Sequence, residues 1–211
     1  MMEIRRYESD LLASNMYLIV EGTSAIVIDP FRDVSPAEGL QIDRILLTHE
    51  HYDHISGVND WKAATGAPVL CSKACAENAA NPKKNLANHF DIFCELQTWM
   101  ELDEIPETDT GYACSADETF SDELRFNWRG HEFFLFELPG HSMGGIGILL
   151  DGKYFFSGDS LMENSEIETR MPGGSRKLWR EVGKPRLSAL PDGIRVYPGH
   201  FKDFIYRKEG E

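Results

Sequence analysis

Long cationic runs are missing from this 211-residue chain: the longest, such as Arg5-Arg6 and Lys83-Lys84, are two residues. With a formal net charge of −14 the surface should repel a phosphate backbone, so nucleic acid is not an expected partner. Long apolar runs are missing too. Residues 18–20 and 25–28 are the only apolar stretches near the start, far short of the roughly 18 residues that cross a bilayer. The opening MMEIRRYESD has basic residues but no apolar segment behind them, unlike a secretory signal. The expectation is a cytoplasmic protein with no membrane partner. The four cysteines, Cys71, Cys75, Cys94 and Cys114, form no CxxC pair and read as reduced thiols. Repeats and low-complexity segments are absent, and the sequence leaves the oligomeric state open.

Strands and helices interleave along the chain. Residues 15–21 (NMYLIVE) and 24–29 (SAIVID) read as strands around a Gly22-Thr23 turn, and 42–48 as a buried strand. Residues 54–65 carry Ile55, Val58, Trp61 and Ala64 at helical spacing with Gly66 just beyond, and 68–72 returns to strand. Further on, strands at 124–128 and 131–138 flank Arg129-Gly130, and strands at 146–150 and 153–157 flank Asp151-Gly152. A helix is expected at 175–190 and a last strand at 194–197. Residues 73–123 are the least regular: Asn81-Pro82 interrupts, 86–102 suits a helix, and 101–109 and 118–123 are acidic. They read as an insertion that serves as a lid, a partner surface or a solvated acidic excursion. The alternation argues for one α/β (α+β) domain over 1–211.

Residues 46–57 read LLTHEHYDHISG and crowd His49, His51, Asp53 and His54 into the loop behind a buried strand. Packing has no use for such a cluster, because each group needs hydration or a hydrogen bond. In extended chain, residues two apart face the same way, so His49 and His51 can meet one ion while Asp53 and His54 turn to another. Nitrogen and oxygen donors of this kind suit zinc, with manganese or iron as alternatives. Further donors follow strands elsewhere: His141 in LPGHSMGG, Asp159 in FFSGDSL and His200 in VYPGH. Each has a glycine neighbour that permits a tight turn near a crowded ion. His89 and His131 lack that context and read as surface or structural residues.

THEHYDH, followed in order by His141, Asp159 and His200, resembles the HxHxDH signature of the metallo-β-lactamase-fold hydrolase superfamily over nearly the whole chain. The resemblance implies an αββα sandwich, two mixed sheets flanked by helices, with the metals at one edge. It assigns His49, His51 and His141 to a first metal, Asp53, His54 and His200 to a second, and Asp159 to a bridge between them. Two divalent ions, zinc by preference, would then ionise a shared water to attack a carbonyl, with Asp53 orienting it and taking its proton. Esters and thioesters are the least demanding substrates, because an alkoxide or thiolate leaves more easily than an amine.

The stretch SGDSLMENSEIETRMPGGSRKLWREV is similar to the short glyoxalase II-like (hydroxyacylglutathione hydrolase-like) branch. There it implies hydrolysis of a small-molecule thioester, with Arg170 and Arg176 as candidates to hold a substrate carboxylate. Lactone or β-lactam hydrolysis is an alternative. Another is persulfide dioxygenase chemistry on one iron held by His49, His141 and Asp159. A metal-binding module without catalysis is a further reading.

Overall fold

Period-two alternation of large side chains builds the centre of the molecule, and the computed structural model describes residues 1–97 and 106–208 of the chain. Six strands form one sheet in chain order: β1 (Glu3–Glu8), β2 (Asn15–Glu21), β3 (Ser24–Ile28), β4 (Gln41–Leu46), β5 (Val69–Ser72) and β6 (Glu118–Phe120). The first three strands pair antiparallel, and β3 to β6 run parallel. The second sheet has the order β12-β11-β10-β9-β8-β7, from β7 (Glu123–Trp128), β8 (His131–Glu137), β9 (Ile146–Leu150), β10 (Tyr154–Gly158), β11 (Arg195–Pro198) and β12 (Phe204–Ile205). All its pairs are antiparallel except β10 with β11.

Tyr17, Ile19, Ile26 and Ile28 from the first sheet meet Phe133, Leu135, Ile148 and Phe156 from the second in one buried cluster between the sheets. The alternate residues Met16, Leu18, Val27 and Ile45 face the other way. They pack on helices α1 (Tyr52–Ile55), α2 (Val58–Thr65), α3 (Lys73–Ala79) and α4 (Phe90–Leu96). Beyond the second sheet, Phe136, Phe155 and Val196 are covered by Leu187 of the last helical segment and by Leu190 just after it. That segment is α5 (Arg176–Leu178), a wide π turn (Trp179–Gly183) and α6 (Lys184–Ser188). The layers are helix, sheet, sheet, helix, as the resemblance implied.

Local sequence signals and structure differ in places. The helix expected over 54–65 is two helices broken at Ser56-Gly57, where the Gly57 N–H donates to the Pro30 carbonyl at 2.9 Å and a Cβ would lie 2.0 Å from the Phe31 carbonyl oxygen. Strand β4 ends at Leu46 and not at Thr48, whose N–H turns to the Asp29 carboxylate. The edge strands β1 and β12 escaped the sequence reading. Their sides lie only partly buried, which blurs the pattern. Residues 73–97 and 106–123 are not a solvated excursion. They supply α3, α4 and β6, and bury Cys75, Ala79, Ala87, Phe90, Cys94, Tyr112 and Cys114. The helix expected over 86–102 is realised only as α4, preceded by a short 3₁₀ turn, and its end lies outside the described residues. All four cysteines are buried and free. No helix among the described residues is long and apolar enough to cross a membrane.

Candidate metal centre

The loops behind β3, β4, β8, β10 and β11 meet at one edge, where the two sheets are tied together. The Ile146 N–H donates to the Thr48 carbonyl at 2.8 Å, and the Asn15 N–H to the Gly199 carbonyl at 2.7 Å. In THEHYDH and at the residue after it, the apolar positions do the steering. Tyr52 and Ile55 are fully buried against the helical side of the first sheet. Their descent turns His51, Asp53 and His54 toward the edge.

Seven side chains converge there. The ring nitrogens of His49, His51 and His141 lie within 4.8 Å of one another, as do the donor atoms of Asp53, His54 and His200. Asp159 stands between the groups. Its Oδ2 is 3.4 Å from Nε2 of His141 and of His200, and its Oδ1 is 3.4 Å from His54 Nε2. Asp53 Oδ2 is 3.4 Å from Nε2 of both His54 and His200. All seven are buried. Gly199 makes room for them, since a Cβ there would fall 2.1 Å from Asp159 Oδ1.

The imidazoles are oriented from behind. Nδ1 of His49 meets Thr48 Oγ1 at 3.0 Å, that of His54 meets Asp29 Oδ2 at 3.1 Å, and those of His141 and His200 meet the Glu168 and Leu12 carbonyls at 3.0 Å. Each ring therefore presents Nε2 to the centre, the arrangement that metal-ligating histidines use. His51 differs, with Nδ1 3.0 Å from His141 Nε2. Nε2 of His49, Nε2 of His51 and Oδ1 of Asp159 are buried without a hydrogen-bond partner. Orphaned polar atoms cost about 1–3 kcal/mol each, a cost that cations would remove. The donor set of nitrogens and carboxylates fits divalent metal ions.

Electrostatics divides the centre in two. Burial, then the charges of His54 and His51, hold His49 well below the usual imidazole range, and burial, then His141, takes His51 down to about 3. Those rings are neutral, as ligands must be. Burial also opposes the charged form of His54, but Asp53, Asp159 and Asp29 together raise it to about 9. His200 is raised against the same burial by Asp159 and Asp53. Against their own burial, Asp159 is held well below the carboxylate range by His200 and His54, and Asp53 below it by His54 and His200. The carboxylates thus favour positive charge at His54 and His200, which bound cations would supply.

The two arginines expected at the substrate lie apart from the ligand cluster. Arg170 is exposed and held by Glu168, Nη2 to Oε2 at 2.8 Å. Arg176 lines a groove of about 1210 Å³ with Arg180 and Lys184, and none of the three has an ion pair among the described residues. His131 binds Asp151 at 2.7 Å and His89 lies beside Asn88, both away from the centre. Sequence reasoning missed Asp29, which takes the Thr48 N–H at 2.7 Å and groups with His49 and His54. A charged residue ending the apolar strand SAIVID was a signal for it. It also missed Glu50, buried and accepting from Asn78 Nδ2 at 2.8 Å, Ser142 Oγ at 3.0 Å and the Gly144 N–H.

A model of the metallo-beta-lactamase superfamily matches residues 9–200. A Streptococcus pyogenes protein named as a probable metallo-hydrolase is 27% identical over 211 residues, 95% of this chain and 84% of its own length. A hydroxyacylglutathione hydrolase of Cereibacter sphaeroides is 31% identical over 163 residues, covering 77% of this chain, which spans only 49% of that enzyme. Among solved structures, a B3 metallo-beta-lactamase superposes with a TM-score of 0.80 at 22% identity, covering 96% of this chain and 94% of that one, a likeness of fold. A protein crystallised in a di-iron-bound form superposes at 0.71 with 26% identity, covering 95% and 94%.

Proposed function

Because this chain belongs to the metallo-beta-lactamase superfamily, we propose that it is a metal-dependent hydrolase of small-molecule thioesters or esters. The observation that carries this reading is the convergence of the two three-residue donor groups on Asp159. His49, His51 and His141 would hold one divalent cation, Asp53, His54 and His200 a second, and Asp159 both. Zinc is the preferred metal, with iron or manganese as alternatives; a relative of this fold is crystallised with two irons. Bound there, such ions supply Lewis acidity that brings the pKa of water toward neutrality.

The chain's own groups then have distinct tasks. Asp53 is buried and its Oδ2 faces the centre, so it holds the attacking water by a hydrogen bond, takes the water proton and returns it to the leaving sulfur or oxygen. The leaving group accordingly departs on the side of Asp53, His54 and His200. Glu168 and Leu12 lock His141 and His200 through their carbonyls and so keep the donor atoms in place. Arg176, with Arg180 and Lys184 in the same groove, receives an anionic group of the substrate. Arg170 serves that end only by releasing Glu168. The likeness to a hydroxyacylglutathione hydrolase favours thioesters over lactones and β-lactams.

Elemental analysis together with a panel of thioesters, lactones and a chromogenic cephalosporin tests the proposal. About two divalent ions per chain and thioester turnover are expected. One iron per chain with oxygen uptake on a persulfide, and no hydrolysis, would overturn it.

A further inference from the structure

Phe201 follows His200 directly and its backbone sits at φ 66°, the left-handed region that bulky residues avoid and glycine occupies without strain. The loop is clamped in that form. The Phe201 carbonyl accepts from Asn15 Nδ2 at 2.8 Å and from Arg6 Nη1 at 3.0 Å. Asn15 Nδ2 also donates to the Pro198 carbonyl at 2.9 Å. Burial does not explain the choice of side chain, because Phe201 remains 49% exposed. Its ring stands beside that of His200, centroids 6.4 Å apart. Phe201 is one of six exposed large apolar side chains among the described residues, and Met143, two positions after His141, is another at 43%. An exposed apolar ring thus stands beside a histidine of the group formed by Asp53, His54 and His200. Strained backbone at non-glycine residues clusters at functional sites.

We infer that Phe201 determines leaving-group specificity: its phenyl ring packs against an apolar substituent on the departing thiol or alcohol. The inference rests on the hydrolase reading, which places the leaving group on the His200 side. The substrate class is then a thioester or ester whose leaving part carries an aryl or branched alkyl group close to the scissile bond. The clamp from Asn15 and Arg6 fixes the backbone that carries the ring, so little loop entropy is lost when a substrate arrives.

The test compares S-benzyl with S-methyl thioacetate in the metal-loaded protein and in the variants Phe201→Ala and Phe201→Gly. Taking the ratio of kcat/KM for the two substrates, variant against wild type, cancels their intrinsic reactivities. In both variants the benzyl-to-methyl ratio should fall about tenfold, carried mainly by KM. Phe201→Gly should keep its metal and melt no lower than wild type, because glycine relieves the positive φ. An unchanged ratio would overturn the inference, as would an equal loss on both substrates with a lowered melting temperature, the mark of a structural role. Saturation-transfer NMR with benzyl alcohol separates this from the hydrolase reading. If neither thioacetate is cleaved that reading fails, yet a benzyl signal present in wild type and lost in Phe201→Gly still supports the rim contact, and equal signals refute it.

Discussion

Glu50 lies between two histidines of the centre and never faces it. Its carboxylate is buried and takes hydrogen bonds from α3 through Asn78 and from the His141 loop through Ser142 and Gly144. It therefore joins the loop that carries His49 and His51 to the one that carries His141. Replacement by alanine leaves those donors unpaired and should cost about 2 kcal/mol, a fall of roughly 4–8 °C in Tm. Thermal melts check this; a variant as stable as wild type would deny Glu50 that role. Protonation offers a second prediction. His54 titrates near 9 in the folded, cation-free protein against 6.5 as its ordinary value. A raised pKa contributes stability that is full below pH 6.5 and is lost as pH rises through 9. Bound cations replace that proton. The Tm gap between metal-loaded and chelated protein should therefore widen from pH 6.5 to 9, and a constant gap would show that no such exchange occurs. His51, down at about 3, acts in the opposite sense, losing stability as pH falls below 6.5.

At the level of elements, the break between α1 and α2 ties the segment that carries Asp53 and His54 to the loop at Pro30 and Phe31. Gly57 passes under the Phe31 carbonyl with no room for a Cβ, and its N–H donates to the Pro30 carbonyl at 2.9 Å. Gly57→Ala should destabilise by about 3 kcal/mol and loosen metal held by Asp53 and His54. Gly66→Ala is the control. Gly66 has φ 70° but open space around its Cβ position, so only conformational strain of about 1 kcal/mol is expected. Equal effects in chemical denaturation would remove the close-approach explanation. The two hairpins show how much an element owes to two residues. Arg129-Gly130 and Asp151-Gly152 both have positive φ at each position, the geometry of a two-residue turn, and both were readable in the chain.

On the scale of the whole molecule, the centre joins the two sheets at their shared edge, so cation loss should be felt globally. Chelation is expected to lower Tm by several degrees, since a ligand at a hundred times its Kd stabilises by about 2.7 kcal/mol. Scanning calorimetry before and after readdition of zinc measures it, and an unchanged Tm would mean that no ion was bound. Net charge bears on substrate choice. In a chain of −14, Arg176, Arg180, Lys184, Arg207 and Lys208 line one groove and outnumber its carboxylates, Glu163 and Glu166. Arg176→Glu should raise KM for a thioester bearing carboxylates several-fold more than for a neutral one. Equal effects on both would remove Arg176 from substrate binding.

What the amino-acid order determined unaided was local chemistry and periodicity. The short apolar runs at residues 16–20 and 25–28 specify buried strands, and His49, His51, Asp53 and His54 are recognisable because no core accepts such a cluster unpaired. Only the tertiary structure decided how these groups are held. The His200 ring is set by the Leu12 carbonyl, 188 positions away in the chain, and the Phe201 carbonyl by Asn15, 186 positions away. Asp29, Glu50 and Gly57 matter for the same reason: each acts through a group brought near by folding, and backbone carbonyls and close approaches leave no mark on a single sequence. Edge strands β1 and β12 were hidden as well, because a strand with one open side needs little apolar pattern once a neighbour supplies its hydrogen bonds.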